Sequence, residues 1–183
     1  MYRLSRLRGR LAVCARAASL LSLYALLAIT LYVCLDVMLR KLWAISLSGG
    51  DELSGYALAM AVGWSAAYAL YQDSFIRVDF LHRRFPLKLR AWSDLAATAT
   101  SAVFAVFLTW YAVKLGWESL SFGVVSNTPL RVLLWIPQFA WATGFLFFSL
   151  SAILLFLETL ALILVGKHDK VITLVNAPSN ASI

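Results

Sequence analysis

The chain has 183 residues, 62% of them hydrophobic and 14% charged, and a mean hydropathy of +0.80. That composition excludes an ordinary soluble domain and places the chain among membrane proteins. A net charge of +7 does not point to a nucleic-acid partner, because the basic residues lie beside long apolar runs, where retention on one side of a membrane accounts for them.

Taken in chain order, residues 1–16 form a basic arm with Arg3, Arg6, Arg8, Arg10 and Arg16. Leu4, Leu7 and Leu11 recur among them at helical spacing, which predicts a short interfacial helix; a solvated basic arm is the alternative. The first span is predicted at 17–35, too long for the apolar core of a signal peptide and followed by no small-residue cleavage pattern, so a retained anchor is expected. Cys14 and Cys34 fall on this helix about 30 Å apart and cannot pair. Asp36 and Arg40 stand four apart at its outer end, close enough for an ion pair if the helix continues, and of little energetic weight if exposed.

The second span is predicted at 53–71. Asp51 and Glu52 open it, favoured by the positive end of the helix dipole, with Ser48 as the expected cap. Gly55, Ala59, Gly63 and Ala67 recur every four residues and predict a face that another helix approaches closely, a partner subunit being the candidate; chance recurrence in an Ala-rich chain is the alternative. Trp64 sits mid-span, where its indole N–H needs an acceptor, so it is expected to face protein instead of lipid. Residues 72–94 read as a basic loop with a second interfacial helix, built on Phe75, Val78, Leu81, Phe85 and Leu89.

The third span is predicted at 95–115, with a weaker small-residue face at Ala97, Ser101 and Ala105. The fourth runs over 137–157, its apolar pattern continuing to 165 with Glu158 at headgroup level, and residues 167–183 form a tail. Together these make a single all-α membrane domain of four transmembrane helices. Twelve of the sixteen Lys and Arg residues belong to the arm, the middle loop and the tail, which the positive-inside rule assigns to the cytoplasm together with both termini. Trp43, Trp110, Trp117 and Trp135 mark the outer borders.

Chemistry-bearing motifs are missing from the sequence: His82 and His168 lie in the flanks, and there is no metal-ligand spacing, nucleophile motif or phosphate loop, so no catalytic, cofactor or metal residue is predicted. Pro86, Pro129, Pro137 and Pro178 leave every span unbroken, and no internal repeat is visible, unlike carriers that alternate access around discontinuous helices. The pattern suits an accessory or scaffold subunit. A small membrane enzyme acting on a lipid or quinone through Asp79, His82, Arg83 and Arg84 is the competing class, as is an independent channel.

Several strings in order resemble a known family: Asp36-Val37-Met38-Leu39-Arg40, Asp51-Glu52-Leu53, Ile76-Arg77-Val78-Asp79, and Pro129 through Ile136-Pro137. They are similar to the small, DctQ-like membrane subunit of tripartite ATP-independent periplasmic (TRAP) transporters. Arg40, Glu52, Arg77 and Asp79 match in type and order, whereas Phe75 stands where that family often has His. The resemblance implies a bacterial inner-membrane protein with no cofactor, working with a large membrane subunit and a periplasmic substrate-binding protein. It also implies sodium-coupled uptake of an organic acid such as a dicarboxylate or sialic acid, with this subunit packed on the static part of the large one.

Overall fold

A computed structural model describes residues 2–72, 86–167, 169–171 and 174. Four helices carry the chain: α1 (Tyr2–Trp43), α2 (Gly50–Tyr71), α3 (Leu87–Ser121) and α4 (Trp135–Leu164). All four are long and apolar enough to cross a membrane. Among the described residues there is no strand, only an isolated antiparallel bridge between Val125 and Leu133.

The basic arm does not form a helix of its own. It continues the first span as one helix of 42 residues, about 63 Å at 1.5 Å per residue and twice an apolar bilayer core of about 30 Å. Nothing interrupts it, since residues 2–43 contain no Pro and a single Gly. The loop expected over 72–94 is shorter in the structure, because α3 starts at Leu87 behind Pro86 in extended conformation. Residues 73–85, with most of the second interfacial segment, lie outside the described residues.

Glycines set two of the helix ends. Past α3, Gly123 (φ +59) donates its N–H to Leu120 O and Val124 donates to Ser119 O; past α4, Gly166 (φ +73) donates to Ile163 O and Lys167 to Leu162 O. Both are Schellman turns, in which a left-handed residue lets two otherwise orphaned carbonyls be satisfied. Gly49 (φ +91) precedes α2, which carries no side-chain cap, so the expected Ser48 cap is not made. Ser48 instead offers its carbonyl to the Tyr32 hydroxyl at 3.1 Å.

The helices pack in the order α1, α2, α4, α3, with α4 between α2 and α3 and with α1 touching α4 only marginally. Burial follows: 44% of the most apolar window of α4 is buried, against 6% in α1, so α4 is the centre and α1 an edge. The inner faces are lined by small residues. On α3 the buried positions Ala91, Thr98, Ala105, Ala112 and Ser119 are spaced by seven, with Asp94, Ala102 and Gly116 alongside, a seam that lets α4 come close. The weaker face expected at Ala97 and Ser101 points elsewhere: Ala97 is exposed, and only Ala105 of that set is in the core.

Candidate functional site

The small-residue run on α2 separates into two halves. Gly63 and Ala67 are buried, and a Cβ added at Gly63 would stand 3.1 Å from both the carbonyl oxygen and the ring of Trp141. The close approach therefore occurs within the chain, against α4. Trp64 belongs to the same contact and donates its indole N–H to Ala140 O at 2.9 Å. Gly144, which the sequence reading missed, completes the crossing: a Cβ there would fall 2.5 Å from the Gly63 carbonyl carbon and 2.7 Å from the Trp64 nitrogen. A lone glycine inside the most apolar span was the available signal. Gly55 is exposed and its added Cβ would meet nothing within 4 Å, while Ala59 is half-buried; this outer half of the run has no close neighbour at Gly55 within the chain.

Hydroxyls reinforce the other crossings. Thr109 donates to Phe145 O at 2.8 Å between α3 and α4, and Ser19 donates to Ser65 at 3.3 Å between α1 and α2. Such bonds are each worth about 0.6 kcal/mol in membrane proteins, so they set register more than stability.

At the end that bears the α1–α2 and α3–α4 connections, expected from the charge pattern to be the outer one, Asp36 and Arg40 form the expected ion pair at 2.5 Å, but Asp36 is not an exposed partner. Its side chain is buried, and Oδ1 also accepts the Leu47 N–H at 2.5 Å, so the carboxylate organises the turn from α1 to α2. Glu52 does the same for the other outer connection. Oε1 accepts the Tyr56 hydroxyl at 2.5 Å, and Oε2 accepts the Thr128 hydroxyl, which lies 2.8 Å from that of Ser126. Leu130 rests over Gly49, where any Cβ would collide with it. The two outer turns thus form one platform, carrying exposed Arg131 in a left-handed conformation (φ +46).

Glu52→Ala removes two hydrogen bonds to a charged group, each worth roughly 1.5–3 kcal/mol, and should loosen this platform. The expected result is faster tryptic cleavage after Arg131 in the detergent-solubilised chain, with the helices intact. An unchanged rate would mean that Glu52 does not hold the loop.

At the opposite end, expected to be the inner one, Arg8 on α1 reaches Glu158 on α4 at 3.2 Å. Both are largely buried, as is Tyr71 beside them, and neither the Tyr71 hydroxyl nor Glu158 Oε1 has a hydrogen-bond partner. Glu158 is therefore paired within the protein across the α1–α4 contact. Among the described residues no three His, Cys, Asp or Glu side chains cluster as metal ligands. The family-like Arg77 and Asp79, Phe75 beside them, His82, Arg83 and Arg84 of the competing enzyme site, and the flank residue His168 lie outside the described residues.

Residues 29–162 match the family described as "Tripartite ATP-independent periplasmic transporters, DctQ component". The chain belongs to that family. It is thus a transporter's DctQ component; of the residues picked out by resemblance, Glu52 ties the α3–α4 connection of this DctQ chain to α2, and Arg40 pairs with Asp36, whose carboxylate holds the α1–α2 turn. The matched stretch runs from the middle of α1 almost to the end of α4 and covers the α2–α4 and α3–α4 crossings described above, while Ser19 and Arg8 precede it. No curated protein and no solved structure matched the chain.

Proposed function

We propose that this DctQ chain is a non-catalytic scaffold, packed on the static part of the large membrane subunit of a sodium-coupled transporter. In this reading the cargo is an organic acid, delivered by a periplasmic substrate-binding protein, and both termini face the cytoplasm of a bacterium at its inner membrane. The observation that carries the scaffold role is the arrangement of the helices in a row. α4 is covered on two sides, while α1 and α3 expose most of their apolar surface, including Leu27, Leu31, Phe104 and Phe107. Such a row has broad faces for a membrane partner and no discontinuous helix among those described. Orientation is supported by the basic inner ends and by the ion-paired outer ones, Asp36 with Arg40 and Lys114 with Glu118.

Gly55 and Ala59 are the proposed partner contacts on α2. Gly63, Ala67 and Trp64, from the same run, would act on the partner indirectly, by holding α2 against α4. The double substitution Gly55→Leu and Ala59→Leu is expected to reduce co-purification with the tagged large subunit by at least fivefold, on the order of 1 kcal/mol. Thermal unfolding of the isolated chain should change little. Undiminished recovery would remove this face from the interface, and failure of the unsubstituted chain to co-purify would sink the scaffold reading itself. Trypsin added outside spheroplasts should cut after Arg131 and spare Arg10 and Lys88; the reverse pattern would overturn the orientation.

A further inference from the structure

We propose that the corner formed by the start of α3 and the chain just past α4 binds the phosphate headgroup of an anionic phospholipid. The site rests on the reading of that end as the cytoplasmic one. Its shape comes from the Schellman turn at Gly166, which reverses the chain after α4. Val171, fully buried, then packs with Ile163 of α4 and Ala91 of α3. Lys167 is in this way brought to the end of the molecule that carries Lys88 and Arg90.

Lys88 and Lys167 are exposed, and Arg90 is half-buried. The Arg90 Nε–H is buried and donates to nothing. No acidic residue lies in the first turn of α3; Asp94, four residues after Arg90, is buried, and Asp169 is followed by Lys170. Lys88 and Arg90 lie in the first turn of α3, at the positive end of its dipole, and an anion offsets that repulsion. A phosphate diester has the charge and the acceptor oxygens that such a set requires.

Apolar neighbours distinguish a lipid from a soluble anion. Leu89 is 46% exposed, Trp92 57% and Leu164 78%, each within three residues of one of the cations. A free phosphate would leave that apolar surface in water, whereas a phospholipid covers it with acyl chains while its headgroup meets the cations. Trp92 is also the ring type that prefers the headgroup level.

The test uses the full-length chain in neutral detergent, with native mass spectrometry reading the adducts formed with phosphatidylglycerol, phosphatidylcholine or inorganic phosphate. Phosphatidylglycerol should be retained far more strongly than phosphatidylcholine, and inorganic phosphate should neither bind nor displace it. At roughly fivefold per basic residue, Lys88→Gln, Arg90→Gln and Lys167→Gln together should weaken phosphatidylglycerol binding about a hundredfold. Arg10→Gln with Arg16→Gln removes charge from the same end outside the corner and should leave the adduct in place, with helical content verified in both variants. Equal binding of the two lipids, equal losses in the two variants, or displacement by inorganic phosphate would each overturn the proposal. Binding by the isolated chain does not depend on the large subunit, so this outcome and that of co-purification are separable.

Discussion

Gly144→Leu is expected to separate α2 from α4 and to cause the largest loss of stability among the glycine substitutions of this chain. Even the first added carbon would lie 2.5 Å from the Gly63 carbonyl carbon and 2.7 Å from the Trp64 nitrogen, both backbone atoms that no rotamer change can move. The same carbon would press on the Trp64 ring at 2.5 Å and break its hydrogen bond to Ala140 O. Overpacking alone costs about 1–3 kcal/mol, and losing the acceptor of the half-buried Trp64 indole adds about 1 kcal/mol more. Gly63→Ala meets Trp141 at 3.1 Å, partly through a movable ring, and should cost less. Gly55→Ala meets nothing and, since Ala exceeds Gly in helix propensity by about 0.8–1 kcal/mol, should be neutral or stabilising. Thermal unfolding in detergent, followed by tryptophan fluorescence, should rank the three in that order. A Gly144→Ala chain as stable as the unsubstituted one would show that the crossing is not as close as described.

That crossing also shows how far the sequence could be read. A run of small residues promised a close helix contact, and Trp64 required an acceptor; both expectations meet at Gly63 and Ala140, but inside the chain. Spacing along one helix cannot name the helix opposite. In a membrane the core and the lipid are equally apolar, so hydropathy finds a span without finding its buried side. Ala97 and Ser101 illustrate the consequence: a plausible small face lies away from the core, and the working seam through Thr98, Ala105 and Ala112 has a period of seven, not four. The small face predicted on α2 was half of a pair, and Gly144 supplied the other half from the most apolar helix, where a single glycine makes no pattern.

Polar residues were legible in position more than in environment. Asp36 and Arg40 pair as their spacing predicts, yet the burial of Asp36 comes from the Leu47 turn folding over it, a contact eleven residues away that helical periodicity does not encode. Glu52 reads locally as a residue suited to a helix start, while its link to Thr128 joins segments 76 residues apart. The family-like strings were informative through their order along the chain, even though each string alone has a local explanation. The unbroken length of α1 was obscured for a different reason. Charge marks where a helix leaves the hydrocarbon, and it does not mark where the helix stops.

Arg8→Leu is expected to destabilise the inner end far more than surface charge removals such as Arg10→Leu. It would strand Glu158, whose side chain is 9% exposed and whose second oxygen already has no partner. Breaking a buried ion pair from one side costs about 3–5 kcal/mol, because the remaining charge loses its compensation while staying desolvated. Arg8 retains 18% exposure, so partial hydration should place the loss near the lower figure. Glu158→Leu in the same chain removes the stranded charge and should restore most of the stability, since an apolar pair of similar volume often replaces a buried ion pair at little cost. The coupling from this double-mutant cycle should exceed about 1 kcal/mol, more than exposed pairs usually show. Additive losses would instead mean that Arg8 and Glu158 act independently, and that the extension of α1 beyond the bilayer is not anchored to α4. The anchoring matters for a scaffold, because a helix about 63 Å long with one edge of its membrane stretch unsupported depends on this inner contact to keep its direction.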